Sequence, residues 1–140
     1  MSSLRTLADT NVLVYSTFED SDKHEEAMRL LSQGDVVIPR IVVYEFIWVL
    51  AKLTNDLDLV RRKVEELRDF HIVTEELEDM IEGVKILNDD RRTFRMINDY
   101  VILALAKRLK LKLMTYDEGL RKVAKRHGVE VLDTDFPGAR

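Results

Sequence analysis

The stretch that decides the fold prediction is residues 4–15, Leu4-Arg5-Thr6-Leu7-Ala8-Asp9-Thr10-Asn11-Val12-Leu13-Val14-Tyr15. Residues 4–8 have the pattern of a short β-strand, and the apolar residues from Val12 onward begin a helix. Between the two elements stand Asp9, Thr10 and Asn11, which are residue types that favour turns and helix caps. The stretch therefore predicts a strand that passes directly into a helix, with a carboxylate at the junction.

Short apolar strands and helices then alternate along the rest of the chain. Strands are predicted near 36–38, 71–73, 111–116 and 129–132, and helices near 22–32, 40–53, 56–68, 75–88, 97–110 and 118–127. Strands that alternate with helices form a parallel sheet that is covered on both faces, so the sequence predicts an α/β fold. The helix near 40–53 is nearly all apolar, so it is predicted to be buried on most sides, with Trp48 as a core or dimer contact.

Length and composition are those of one ordinary globular domain. With 140 residues, of which 46% are hydrophobic and 34% charged, the chain is predicted to form a single domain over residues 1–140. It contains no cysteine, which excludes disulfides and thiolate metal sites. No apolar run has the length of a signal peptide or of a membrane span, so membrane association has no support and a cytoplasmic protein is predicted.

Charge is unevenly divided along the chain, although the net charge is only −4. Residues 1–90 carry 10 Lys and Arg against 20 Asp and Glu, whereas residues 91–126 carry 11 against 3. A basic surface beside an acidic site suits a polyanion that must approach carboxylates. Arg91, Arg92 and Arg95 are therefore candidate contacts for the phosphates of such a polyanion, which supply affinity and not base choice. The alternative interpretation is a charged, solvated loop.

Four acids lie in segments that are otherwise apolar, at positions Asp9, Glu45, Asp99 and Asp117. A buried ionised carboxylate is costly unless it is paired or binds a metal. No Lys, Arg or His stands next to any of the four in sequence, so the simplest interpretation is one shared site for a hard divalent cation. Oxygen ligands suit Mg²⁺ or Mn²⁺, which are therefore the predicted cofactors.

The predicted order of strands and helices places these acids near one edge of the sheet. Asp9 and Asp117 each follow a predicted strand, and ligands of open α/β sheets bind beyond the carboxyl ends of strands, where the strand order reverses. Glu45 lies on the helix after the second strand, and Asp99 lies near the start of the helix before the later strand. All four side chains are therefore expected to reach the same crevice.

Each acid except Glu45 also has an ordinary structural interpretation. Asp9 and Asp117 are favourable helix N-caps, and Asp99 complements the helix dipole in a first turn. Glu45 lies in mid-helix, where neither explanation applies.

The segments around these acids match, in order, the motifs of a known family. They are Asp9-Thr10-Asn11-Val12-Leu13-Val14-Tyr15, Tyr44-Glu45-Phe46-Ile47-Trp48-Val49-Leu50, Asn98-Asp99-Tyr100-Val101-Ile102-Leu103-Ala104-Leu105-Ala106 and Leu113-Met114-Thr115-Tyr116-Asp117. Through them the whole chain resembles the PIN-domain ribonucleases, and among these the single-domain VapC-type toxins of toxin–antitoxin pairs. Two positions depart from the family pattern without removing an acid: Lys110, where many relatives have Gly, and Tyr100, where Ala is frequent.

The resemblance implies a three-layer fold with a central parallel sheet of four or five strands. It also implies a Mg²⁺- or Mn²⁺-dependent endoribonuclease in which the four acids are the catalytic residues and the metal ligands. Asn11 and Thr115 are implied to be supporting polar groups near the metal or the phosphate. The implied partners are an RNA substrate, a second copy of the chain in a homodimer, and a cognate antitoxin protein.

Two other functional classes stay open on the residues alone. One is a catalytically silent PIN-like module that binds RNA or a protein, although the presence of all four acids argues against it. The other is a phosphatase or phospho-acceptor of another α/β family, because Asp9 follows the first strand. A phosphatase of that kind is expected to have a second Asp two residues later, where this chain has Asn11.

Overall fold

The computed structural model describes residues 5–134 and confirms the predicted α/β fold. In chain order the elements are β1 (Arg5–Ala8), α1 (Thr10–Thr17), α2 (His24–Ser32), β2 (Asp35–Pro39), α3 (Arg40–Thr54), α4 (Leu57–Glu65), β3 (His71–Val73), α5 (Leu77–Asp89), α6 (Ile97–Leu109), β4 (Lys112–Met114) and α7 (Glu118–Arg126). Two short 3₁₀ helices, Glu66–Asp69 and Phe94–Met96, precede β3 and α6. Within residues 5–134, no helix has both the length and the apolar character that crossing a membrane requires.

The sheet over residues 5–134 has four parallel strands in the order β3-β2-β1-β4. Strands β1, β2 and β3 follow one another toward one edge, whereas β4 lies on the opposite side of β1. The strand order therefore reverses between β1 and β4, which is where open α/β sheets bind their ligands. The strand predicted near 129–132 is reduced to a single parallel bridge between Leu113 and Val131.

Helix α6 lies at the centre of the core. Its residues from Tyr100 to Ala106 are all buried, so this helix is enclosed on every side over two turns. It packs closely against α5, where a Cβ added to Gly83 would lie 3.0 Å or less from Val101 atoms. The packing of Val101 against α5 therefore fixes the first turn of α6, which carries Asp99.

Helix α3 differs from its prediction. One face, formed by Val42, Phe46 and Leu50, packs into the core at a spacing of four residues. Tyr44 and Trp48 lie on another face and are exposed over 62% and 63% of their surface. The prediction of burial was wrong for this face, because aromatic residues that count as apolar in sequence form a solvent-facing surface here, and Trp48 is not a core residue.

Two acids that the sequence prediction did not single out lie in ion-pair networks of the core periphery. Asp79 on α5 is only 2% exposed and accepts hydrogen bonds of 2.7 and 2.9 Å from Arg108 on α6. Burial by itself raises the pKa of Asp79, but the hydrogen bonds from Arg108 and from a backbone N–H outweigh it and lower the pKa below 3.8. This ion pair ties the start of α5 to the end of α6.

Asp90, at the end of α5, is held in a similar way. One of its carboxylate oxygens accepts hydrogen bonds from Tyr100 at 2.6 Å and Arg126 at 2.7 Å, and lies 3.0 Å from a ring nitrogen of His127. Burial opposes ionisation, but these partners outweigh it and hold the pKa of Asp90 well below its usual range.

Candidate active site

Asp9 occupies the junction that the opening stretch predicts, directly after β1. It is the N-cap of α1 and accepts a hydrogen bond of 2.8 Å from the backbone N–H of Thr10. Its own backbone N–H donates to the carbonyl of Met114 at 2.9 Å, which continues the pairing of β1 with β4. Burial raises the pKa of Asp9, as does repulsion from Glu45 and Asp117, although hydrogen bonds partly offset these effects.

Thr115, directly after β4, connects the two strand ends. Its fully buried hydroxyl donates to the Oδ2 atom of Asp9 at 2.8 Å. The hydroxyl oxygen of Thr115 itself accepts hydrogen bonds of 3.1 Å from the side-chain amide of Asn11 and from the backbone N–H of Asp117. The side-chain oxygen of Asn11 in turn accepts from the backbone N–H of Tyr116 at 3.0 Å. Thr115 and Asn11 therefore fix the orientation of Asp9 and join the two ends of the switch point.

Glu45 reaches this edge of the sheet from the middle of α3. One carboxylate oxygen accepts a hydrogen bond of 2.6 Å from the hydroxyl of Thr10, and the other accepts one of 3.1 Å from the side-chain amide of Asn98. These donors come from α1 and α6, so Glu45 is oriented by the helices that carry Asp9 and Asp99.

Asp99 lies in the first turn of α6 and is partly buried. Its carboxylate accepts no hydrogen bond from any group within residues 5–134. Burial, and after it repulsion from the other three acids, raises the pKa of Asp99 from 3.8 to about 7. A carboxylate in this setting is stabilised when it binds a proton or a cation.

Asp117 lies between β4 and α7 and is exposed. It is the N-cap of α7, where its Oδ1 atom accepts a hydrogen bond of 3.0 Å from the backbone N–H of Leu120. Repulsion from Asp117 contributes to the raised pKa of both Asp9 and Asp99, so its charge acts on the interior of the site. Capping a helix and belonging to the acidic cluster are thus compatible for Asp117, as they are for Asp9.

A cleft of about 640 Å³ opens over three of the four acids, and Asp117 is not among its lining residues. Asp9, Glu45 and Asp99 line it, and Tyr44 and Trp48 lie along the part formed by α3. Within the described part of the chain, no Lys, Arg or His forms an ion pair with any of the four acids. The exposed side chains of Arg91, Arg92 and Arg95 lie outside the cleft lining.

The donor set of this cleft fits a hard divalent cation in its chemistry. It consists of carboxylate oxygens that carry excess negative charge and have only neutral hydrogen-bond donors around them. Within residues 5–134, no three His, Cys, Asp or Glu side chains are close enough together to enclose an ion by themselves. Mg²⁺ commonly keeps several waters and uses only one or two carboxylates, so the set fits this mode of binding.

The structure brings all four predicted acids, Asn11 and Thr115 to one edge of the sheet. The sequence prediction missed Thr10 and Asn98, whose side chains orient Glu45. Their positions in the sequence could have indicated that they belong to the site, because each is a polar residue directly adjacent to one of the acids. The side chain of each nevertheless holds Glu45 and not its neighbour in sequence, so its position marks the residue as part of the site without revealing its partner.

Comparison with known proteins gives one family match. The family model described as the PIN domain matches residues 6–126, which is most of the chain and includes all four acids. A search of curated proteins finds no match.

Several solved structures have a similar fold. A toxin–antitoxin complex from Klebsiella pneumoniae is 24% identical, with 83% of this chain and 89% of that one covered and a TM-score of 0.63. FitAcB from Neisseria gonorrhoeae is 23% identical, with 92% and 97% covered and a TM-score of 0.72. VapC20 from Mycobacterium tuberculosis, described as a toxin that cleaves the sarcin–ricin loop, is 14% identical, with 84% and 94% covered and a TM-score of 0.72.

Proposed function

Because the chain belongs to the PIN domain family, we propose that it is an endoribonuclease that uses Mg²⁺ or Mn²⁺. In this proposal Asp9, Glu45, Asp99 and Asp117 are the catalytic residues and supply the metal ligands. The observation that carries it is the state of Asp99, whose carboxylate accepts no hydrogen bond from a group within residues 5–134 and whose pKa is raised to about 7 by burial and by three neighbouring acids. A divalent cation would relieve this repulsion and keep the carboxylates ionised at neutral pH.

The chain's own residues hold the acids in place for this role. Thr115, directly after β4, and Asn11, on α1, orient Asp9. Thr10 and Asn98 hold the two oxygens of Glu45, so neither acid has to be ordered when an ion arrives. Such preorganisation favours binding because less side-chain freedom is lost on complex formation.

When bound, the metal ion would lower the pKa of a water and stabilise the charge that develops on a phosphodiester. The open cleft leaves space beside the acids for a phosphate group of RNA. Arg91, Arg92 and Arg95, which precede Asp99 on an exposed segment, are proposed to contact RNA phosphates farther from the cut.

We further propose that the protein is the toxin of a toxin–antitoxin pair, acting as a single domain over residues 1–140. An antitoxin protein would then inhibit it, and it would act in the cytoplasm as a homodimer. This proposal is supported by the similar folds of a toxin–antitoxin complex from Klebsiella pneumoniae and of the toxin VapC20.

The experiment that tests the nuclease is cleavage of an end-labelled pool of structured RNAs by the purified chain in Mg²⁺, Mn²⁺ or EDTA. We expect cleavage with either metal and none in EDTA. Asp99→Asn is expected to lower the rate by at least about 100-fold, since loss even of residues that only support a ligand lowers activity by 10- to 100-fold. Asp58→Asn is the matched control, because Asp58 is exposed on α4 and pairs with Arg61.

A second readout does not depend on finding the right RNA. Mn²⁺ is expected to raise the melting temperature of the unaltered protein and of Asp58→Asn, but not that of Asp99→Asn, because a ligand that binds only the folded state stabilises it. Cleavage that persists in Asp99→Asn contradicts the site assignment, and cleavage in EDTA contradicts the metal requirement. Metal binding by a folded chain that cuts no RNA supports the alternative of a catalytically silent binding module.

A further inference from the structure

Helix α3 carries a second set of aligned side chains, on the face that is not packed into the core. Arg40, Tyr44, Trp48 and Lys52 are spaced by four residues, so they lie along one side of the helix. All four are exposed, and over 12 residues the row extends roughly 18 Å. We call these four residues the α3 outer face.

The α3 outer face is continuous with the acidic site. Tyr44 and Trp48 line the same cleft as Asp9, Glu45 and Asp99. The two rings therefore share one cleft with the carboxylates and do not lie on a remote surface. Whatever stacks on these rings therefore lies within reach of the proposed cleavage site.

Each ring has a cation of the same helix close to it. The guanidinium carbon of Arg40 is 5.8 Å from the centre of the Tyr44 ring, and the Nζ atom of Lys52 is 4.8 Å from the centre of the Trp48 ring. Along the helix, the order of these four side chains is thus cation, aromatic, aromatic, cation. Exposed aromatic rings and cations on one surface are features that proteins use to bind unpaired nucleic acid, with bases on the rings and phosphates near the charges.

A second groove beside α3 is different in character. It runs between α3 and α4, and its apolar lining is aliphatic, with Val43, Ile47, Leu57, Val60 and Ile72. A mainly aliphatic groove is suited to the apolar face of a protein helix. The α3 outer face, with two aromatic rings and two cations, instead offers stacking surfaces and positive charge to a strand of nucleic acid.

We propose that the α3 outer face is a stacking subsite in which Tyr44 and Trp48 hold the bases of an RNA strand beside the acids. This inference rests on the proposed nuclease function and specifies which side chains of this protein position the RNA. In a continuous duplex the faces of internal bases are covered by their neighbours, so Tyr44 and Trp48 have nothing to stack on. Arg40 and Lys52 supply the positive charge that a polyanion needs in order to approach a cleft lined by acids.

Trp48 provides a direct probe, because it is the only tryptophan in the chain. The reference protein is the Asp99→Asn variant in Mg²⁺, so that cleavage does not consume the RNA. A 12-nucleotide oligoadenylate is titrated into it, first unpaired and then annealed to oligouridylate. We expect the unpaired strand to quench the Trp48 fluorescence on binding, and the duplex to bind at least about tenfold more weakly with little quenching.

Variants of the ring test whether stacking causes the affinity. Trp48→Ala in the same reference protein is expected to weaken binding of the unpaired strand about tenfold, within the range for loss of one stacked base. Trp48→Phe is expected to retain most of the affinity because it keeps an aromatic face. Leu77→Ala is the control for loss of an exposed apolar side chain, since Leu77 lies on α5 outside the cleft lining.

The outcomes separate this inference from the nuclease proposal. Quenching and a loss of affinity in Trp48→Ala support the subsite whether or not the unaltered chain cuts RNA. Equal binding of paired and unpaired RNA, or unchanged affinity in Trp48→Ala, overturns it even if cleavage is observed. A Trp48 response to protein concentration alone, without one to RNA, assigns the face to a protein contact and also overturns it.

Discussion

Two groups of aspartates in this molecule have opposite electrostatic surroundings. Asp79 and Asp90 each accept hydrogen bonds from an arginine, and the pKa of each is lowered even though burial acts in the other direction. Asp9 and Asp99 have no arginine or lysine partner within residues 5–134, and the pKa of each is raised. The first pair stabilises the packing of helices. The second pair has no such partner within the described residues, and this difference distinguishes the candidate site from the scaffold.

The largest expected effect is on Asp99. Its raised pKa means that, between about pH 4 and 7, the folded state keeps a proton that the unfolded state loses, so the stability of the metal-free protein falls as pH rises through this window. Above about pH 7 Asp99 is ionised in both the folded and the unfolded state, and the loss of stability has reached its full size. Asp99→Asn removes it, so this variant is expected to be more stable than the unaltered protein at pH 8 by as much as about 4 kcal/mol.

Urea unfolding in EDTA at pH 4 and pH 8 measures this difference. The two proteins are expected to have similar free energies of unfolding at pH 4 and to separate at pH 8. Asp90→Asn serves as a control of opposite sign: the lowered pKa of Asp90 contributes stability above about pH 4 that is lost as pH falls further, so this variant should be destabilised at pH 8. A gain from Asp99→Asn that is the same at both pH values contradicts the assignment of a raised pKa.

A smaller effect is expected from breaking a paired acid. Arg108→Met leaves the carboxylate of Asp79 buried without its cation, and is expected to lower the free energy of unfolding by about 2 to 3 kcal/mol. The effect is less than for an enclosed ion pair because the side chain of Arg108 is 38% exposed. Urea unfolding at pH 7 measures it.

The double variant Asp79→Asn/Arg108→Met distinguishes an unpaired charge from lost packing. It is expected to recover part of the stability, since replacing both partners costs less than leaving one buried charge alone. If the double variant is as unstable as Arg108→Met, the loss arises from packing and the contrast between the two groups of acids weakens.

Much of this fold was predictable because strands and helices follow local patterns. The strand ending at Ala8 and the following helix lie where the opening stretch placed them, and the pattern of alternation gave a parallel sheet. The exposure of Tyr44 and Trp48 was not predictable, because it depends on how far the neighbouring elements extend over α3. Hydropathy alone does not distinguish an aromatic residue in the core from one on a surface that binds another molecule.

The acids of the site were identified in sequence by what they lacked, namely an adjacent cation. The same criterion did not find the partners of Asp79 and Asp90, since Arg108 and Arg126 lie 29 and 36 residues farther along the chain. Long-range pairing depends on tertiary packing, and sequence adjacency does not report it. The roles of Thr10 and Asn98 are hidden for the same reason, because their acceptor, Glu45, is on another helix.

The smallest expected effect on stability comes from the neutral donors around Asp9. Thr115→Val removes a hydroxyl that donates to Asp9 and accepts from Asn11 and from the backbone of Asp117, and is expected to cost about 1 to 2 kcal/mol of stability. Metal-dependent RNA cleavage is expected to fall about 10- to 100-fold, because Asp9 loses the donor that orients it. Thr115→Ser keeps the hydroxyl and should retain most of both properties. Unchanged cleavage in a stable Thr115→Val protein would mean that Asp9 needs no positioning by neutral donors, and the distinction between site and scaffold would then rest on the absence of a cation alone.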